Sequence, residues 1–307
     1  MEQTNTLRKI TTWHRYRPRR ITGNAPYAQP GVATEHDIFS DAAARVAKLM
    51  PRRHPKPAQL ENIIKQMQSK AQVTNRPEDW LAALYAQAPR AAAAQQQMDQ
   101  HPYGYRDKQA RVYELIDFND TFVAAILAMN QNMRARFVVQ AKHGCDKICY
   151  QTHSPIFTDE QWTAIVRGLT REIAVYQAAR DRGFDATMPN RTGDAIGIDL
   201  QVRDPESGRY INVDVKTPSS FRRRLEELVQ EGRLTETELL DADSRSYAIE
   251  YNGHNGGAVE VILLCMLPDK FGEFGDFRLL NSEPMRQMLN FLIREHGLGD
   301  GRYGIYR

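Results

Sequence analysis

Asp199, Asp214 and Lys216 are the residues of this sequence whose types and spacing can do chemistry. Two carboxylates on neighbouring strands can share a divalent cation, and a cation so held activates water. In Gly193-Asp194-Ala195-Ile196-Gly197-Ile198-Asp199-Leu200-Gln201-Val202, the residues Ile196, Ile198, Leu200 and Val202 alternate onto one face and leave Asp199 and Gln201 on the other. A turn follows at Asp204-Pro205-Glu206-Ser207-Gly208-Arg209. Tyr210-Ile211-Asn212-Val213-Asp214-Val215-Lys216 then puts Ile211, Val213 and Val215 toward a core and Asn212, Asp214 and Lys216 away from it. A hairpin centred between Glu206 and Ser207 sets Asp199 opposite Asp214, and opposed like charges cost a sheet up to about 1 kcal/mol. Lys216 offers one positive charge, two residues along the strand. A divalent ion bound by both carboxylates and the backbone carbonyl of Val215 resolves the conflict better. The rival reading is a surface hairpin whose charges face water.

The elements that position these groups are legible around them. Thr158-Asp159-Glu160-Gln161 is a capping box that opens a helix, and Trp162, Ile165, Val166, Leu169, Ile173, Tyr176 and Ala179 recur at helical spacing up to an ending at Gly183. Glu172 lies on or beside that stripe: it either reaches water at the helix edge or is held toward a cation. A short strand is expected near residues 184–188. After Lys216, Thr217-Pro218 ends the strand, Ser219 or Ser220 caps a helix, and Arg222, Arg223 and Arg224 fall in its first turn, where cations oppose the dipole. That placement points to phosphate bound at the helix N-terminus, the alternative being a solvated face. Two strands around residues 247–251 and 259–267 flank a glycine-rich tip containing His254, and a helix over 284–295 follows.

Glu172 on a helix, Asp199 on a strand and Asp214-Val215-Lys216 on the next strand resemble, in that order, the PD-(D/E)xK nuclease superfamily, over roughly residues 158–290. Ile198 stands where that pattern has proline, and the second acid is Asp rather than Glu; the family tolerates both departures. The resemblance implies an α/β (α+β) domain of the restriction-endonuclease-like fold, a mixed central sheet flanked by helices, that hydrolyses phosphodiesters of double-stranded DNA with Mg²⁺, for which Mn²⁺ substitutes. It implies that Asp199, Asp214 and the Val215 carbonyl hold the metal, that Glu172 is a further catalytic acid that assists a second metal or binds metal-ligated water, and that Lys216 orients water or neutralises charge on phosphorus. Gln201, on the Asp199 face, is a candidate contact to phosphate or water. A separate front domain favours a site-specific restriction endonuclease, and no G-x4-GK[ST] motif supports an ATP-driven enzyme. The rivals are a repair or junction-resolving nuclease and a DNA-binding protein with a vestigial site. A homodimer is an open expectation.

The front of the chain fits a nucleic-acid partner. Residues 1–157 hold 22 Lys and Arg against 13 Asp and Glu, a net +9, whereas the remainder has 19 against 25, a net −6; the overall +3 conceals both. Residues 1–34 form a basic arm in which Arg8, Lys9, Arg15, Arg17, Arg19 and Arg20 interleave with Trp13, His14 and Tyr16, suited to phosphates and to stacking on bases. Its rivals are a solvated tail and a transit peptide, the latter spoiled by Pro18, Pro26 and Pro30. Residues 35–157 read as a helical nucleic-acid-recognition domain, with helices near 36–50, 58–70, 77–99 and 107–136, and residues 158–307 as the nuclease domain.

His143, Cys145, Cys149 and His153 can supply four zinc ligands, but they crowd one short segment without a Cys-x2-Cys pair, so a connector with buried thiols is the favoured reading over structural zinc. Three cysteines in a chain of 307 residues argue against a secreted disulfide framework and fit a reducing cytoplasm, in a prokaryotic or phage setting. The longest apolar stretch, residues 259–267, contains Glu260 and is far shorter than the roughly 20 residues a membrane-spanning helix needs, so no membrane role is expected.

Overall fold

A computed structural model describes residues 37–100, 112–188, 197–241, 248–252, 260–296 and 305–306. The basic arm, residues 189–196 and the His254 tip therefore lie outside the described residues. Helix α1 (Ile38–Leu49) is followed by α2 (Pro57–Thr74), which starts on Pro57 and stops where Asn75 turns left-handed at φ 50°. Helix α3 (Pro77–Gln100) opens with Pro77 and the acids Glu78 and Asp79, as its pattern predicts.

Residues 107–111 of the helix expected over 107–136 lie outside the described residues; the rest of it and the connector behind it are organised differently. The structure has α4 (Val112–Ala128), then a break at which the Asn130 side chain caps α5 (Gln131–Thr152) by accepting the Met133 N–H at 3.0 Å. The supposed connector is thus the second half of a helix. Cys145 and Cys149, four residues apart, lie on its buried face, and His143 and His153 are exposed. Gly144 does not break the helix. A Cβ there would fall on the Tyr85 ring of α3, so glycine serves a close approach of two helices.

Helix α6 (Asp159–Asp181) begins on the predicted box: Thr158 Oγ1 accepts the Gln161 N–H at 3.2 Å and Gln161 Oε1 accepts the Thr158 N–H at 2.8 Å. It joins two cores. Trp162, Leu169 and Ile173 pack among the helices α1 to α5, while Ala174, Val175, Ala178 and Ala179 pack on the sheet.

That sheet is built from β1 (Asp185–Thr187), β2 (Leu200–Arg203), β3 (Tyr210–Lys216), β4 (Ala248–Asn252), β5 (Glu260–Cys265) and a short β8 (Ile305–Tyr306), in the order β1-β2-β3-β5-β4-β8. β1, β2 and β3 form an antiparallel meander, and β3 pairs with β5 in parallel. Parallel pairing requires a crossover, and here α7 (Pro218–Gln230), α8 (Glu236–Asp241) and β4 lie between the two strands in sequence. The result is a mixed sheet with helices on both faces, an α+β arrangement. α6 and α10 (Glu283–Asn290) cover Leu200, Val202, Ile211, Val213 and Val215; α7 covers the other face with Phe221, Leu225 and Leu228. A small α9 (Pro268–Phe271) leads into the hairpin β6 (Phe274–Gly275) and β7 (Arg278–Leu279). Asp276 and Phe277 turn it with φ of 50° and 64°, and the Phe277 ring enters the helical core at 5.9 Å from Phe122 and 5.8 Å from Phe137.

Two strand readings change. Leu200 pairs with Val213 and Arg203 with Tyr210, the register expected of a hairpin centred between Glu206 and Ser207, yet β2 starts only at Leu200. Gly197, at φ 87°, redirects the chain, and Ile198 packs with Phe221 and Leu225 on the face opposite Leu200 and Val202. The alternation therefore fails at Asp199, which stands at the strand's entrance rather than in its middle. Second, the polar face of β3 is mostly closed to water: as a central strand under α7 it buries Asn212 and Asp214 along with its apolar residues, and Lys216 at its end is partly exposed.

Among the described residues, no helix is long and apolar enough to cross a membrane.

Candidate active site

β3 and β5 run side by side to the same end of the sheet, and the chain leaves β3 directly into α7. Thr217 caps that helix, its Oγ1 accepting the Ser220 N–H at 3.1 Å, with Pro218 as the first helical residue. The cap is therefore Thr217 and not Ser219 or Ser220. Because the helix starts at Pro218, Arg222, Arg223 and Arg224 fall in its second turn, one turn further from the free N–H groups than the sequence reading expected.

Asp214 is fully buried beneath this helix, where an unpaired carboxylate would cost several kcal/mol (about 3–5 by analogy with broken buried pairs). Two cations compensate it. The Lys216 ammonium pairs directly with Asp214 Oδ1, and Arg224 Nε lies 3.8 Å from Oδ2. Asp199 comes to the same place from the β2 entrance. Its backbone N–H donates to the Val213 carbonyl at 2.9 Å, its Oδ2 accepts the Val215 N–H at 2.7 Å, and the same oxygen is 3.4 Å from Lys216 Nζ. Lys216 Nζ also lies 3.5 Å from the Val215 carbonyl oxygen. One ammonium thus touches the three oxygens assigned to a metal ion from the sequence.

The electrostatics follow from this geometry. Burial disfavours the Lys216 charge, but Asp199 and Asp214, and further off Glu172, hold its pKa well above the ordinary lysine value. The ammonium sits among these oxygens while the side chain as a whole is 25% exposed. Glu172 rides on α6, which covers the opposite face of the sheet from Asp214; its charge still acts on Lys216. Among the described residues, no group of three or more His, Cys, Asp or Glu side chains is close enough to hold a metal. The donor set that does converge, two carboxylates and one carbonyl, consists of hard oxygens. It suits Mg²⁺ or Mn²⁺, ions that keep several waters when few protein ligands are offered.

The other predicted residues divide by position. Gln201 is exposed on β2 and donates to Asn212 Oδ1 at 3.1 Å. Arg222 and Arg223 project from α7 with side-chain exposures of 60% and 73%, each about one helical turn from an acid, Glu226 and Glu227. Arg224, at 16%, points inward and is shared by Asp214, Glu227 and Glu231. Its geometry is that of an internal counter-ion. The spacing carried the signal: Arg224 stands three residues after Phe221, one before Leu225 and four before Leu228, beside the buried stripe of α7. Arg15, Arg17, Arg19 and Arg20 lie outside the described residues. Burial raises the thiol pKa of Cys145 and pushes that of Cys149 up to about 12; both thiols lie on the buried face of α5, with His143 and His153 exposed.

No family model matches the chain, and no curated protein and no solved structure matches it either.

Proposed function

We propose that the chain is a Mg²⁺-dependent DNA endonuclease of the PD-(D/E)xK type with the restriction-endonuclease-like fold, acting as a site-specific restriction enzyme. The observation that carries the reading is the convergence of Asp199 Oδ2, Asp214 Oδ1 and the Val215 carbonyl on one cation at the end of the central strands. Asp199 and Asp214 with the Val215 carbonyl would hold the metal, and Glu172 would add negative charge from α6. A bound Mg²⁺ supplies an acidified water and a Lewis acid for the phosphoryl oxygen. Lys216 would orient the attacking water or neutralise charge that develops on the phosphate. Arg222 and Arg223 would meet the DNA backbone, assisted by the basic arm around Arg15, Arg17, Arg19 and Arg20.

A second reading, a DNA-binding protein without catalysis, is favoured by one feature: Asp214 is already compensated by Lys216 and Arg224. Supercoiled plasmid incubated with the full chain and a series of divalent ions separates the two. Cleavage with Mg²⁺ or Mn²⁺ at recurrent positions, found by sequencing the ends, is the expected result. Intact plasmid with every ion, while DNA is still bound, would favour the second reading; cleavage at unrelated positions would remove the restriction role and keep the nuclease.

A further inference from the structure

We propose that the Lys216 ammonium is the resident counter-ion of the cation site and that a divalent ion enters only by displacing it. The inference rests on the nuclease reading, because it concerns the same carboxylates. It starts from the coincidence of positions: Lys216 Nζ pairs with Asp214 Oδ1 and lies 3.4 Å from Asp199 Oδ2 and 3.5 Å from the Val215 carbonyl. Those are the oxygens a hydrated divalent ion would use. A divalent ion coordinates such oxygens at about 2.0–2.1 Å, so it cannot take these three while the ammonium occupies the same position.

The choice of which cation leaves follows from the surroundings. Asp214 is fully buried, so it must keep a cation at Oδ1 at all times. Arg224 is anchored by Glu227 at 3.4 Å and Glu231 at 3.0 Å and remains near Oδ2. Lys216 combines a flexible four-carbon stem with a side chain 25% exposed, against 10% for Asp199 and 1% for Asp214. It can swing outward without disturbing β3, whose backbone is held by β2 and β5. Displacement carries the amine from the floor of the site to its mouth, where phosphate would lie. The protein without metal therefore keeps its reactive amine covered, and the divalent ion both fills the site and releases Lys216.

The test uses the full chain, Mn²⁺ alone and no DNA. In the wild-type protein, an amine-acylating reagent followed by mass spectrometry is expected to find Lys216 protected, and saturating Mn²⁺ to raise its labelling rate severalfold. This arm needs no substitution. In parallel, free Mn²⁺ is followed by spin resonance during titration of wild type and Lys216→Met. The variant is expected to bind at least about tenfold more tightly, a change readily resolved in a titration, because the competitor is gone. If wild type binds Mn²⁺ in a manner lost in Asp214→Asn, but Lys216→Met binds no tighter and Lys216 labelling does not change, displacement is overturned and the nuclease reading stands. If neither wild type nor Lys216→Met binds Mn²⁺, both fall together.

Discussion

The carboxylate of Asp199 accepts the backbone N–H of Val215 at 2.7 Å, so a side chain occupies the edge of β3 where the β2 ladder has ended. One residue thus clamps the strand and supplies charge. Asp199→Asn retains an oxygen for the Val215 N–H and loses the charge; Asp199→Ala loses both. Cleavage should fall at least about 100-fold in each. Their stabilities should differ, with Asp199→Ala about 1–2 kcal/mol below Asp199→Asn in urea melts, the cost of an unsatisfied buried N–H. Equal stability of the two variants would deny the clamp.

Asp214→Asn is a harsher change, because it leaves Lys216 and Arg224 facing a neutral amide in a buried place. We expect a loss of about 3 kcal/mol or more. Combining it with Lys216→Met removes one of the stranded cations. The double variant should therefore be more stable than Asp214→Asn alone and equally inactive, a coupling read from a double-mutant cycle of melts. Additive losses would mean that Lys216 and Asp214 do not compensate each other.

What the sequence disclosed about this site was mostly periodic, and what it concealed was local. Leu200, Val202, Ile211, Val213 and Val215 alternate cleanly around a turn of known chemistry, so the β2–β3 register could be derived. Ile198 continues that alternation in the sequence and departs from it in space, because Gly197 takes a left-handed φ that letters alone do not announce. The segment around Cys145 and Cys149 reads as a connector and is the second half of α5, where Gly144 lets Tyr85 approach the helix. The full burial of Asp214 was hidden because alternation along β3 says which side it takes and not that α7 closes over it.

The three consecutive arginines of α7 should separate by function. Arg222→Gln combined with Arg223→Gln should weaken DNA binding and reduce the slope of log affinity against log salt by roughly 1–2, since exposed guanidiniums release counterions when they meet phosphate. Arg224→Gln should leave that slope unchanged and lower the melting temperature, because it removes a partner from Asp214, Glu227 and Glu231. A reduced slope in Arg224→Gln would return that residue to the DNA surface.

The contact between α3 and α5 makes a prediction away from the site. Gly144→Ala places a methyl group against the buried Tyr85 ring and should cost about 1–3 kcal/mol by overpacking. Tyr85 itself is fully buried, and its hydroxyl has no hydrogen-bond partner among the described residues. Tyr85→Phe should therefore be neutral or stabilising, within about 1 kcal/mol. A large loss in that variant would reveal a partner for the hydroxyl.

The last expectation is a pH dependence centred on Asp79, a buried carboxylate at the start of α3. Burial pushes its pKa up, but the Thr74 hydroxyl at 2.8 Å, the Lys70 ammonium at 3.1 Å and the Arg45 guanidinium at 2.8 Å together hold it below the ordinary aspartate value. A carboxyl whose pKa is lowered by folding stabilises the fold above its unfolded pKa of about 3.9, and this contribution disappears as pH falls through the lower folded value. Asp79→Asn should accordingly be less stable than wild type near neutral pH, by about 2 kcal/mol given that Arg45 and Lys70 are partly exposed. Urea melts of both proteins from neutral pH downward should show the gap constant above about pH 5 and closing steadily below about pH 4. A gap that persists unchanged into acid would mean that Asp79 acts by shape and hydrogen bonding, and that its charge contributes nothing to holding α1, α2 and α3 together.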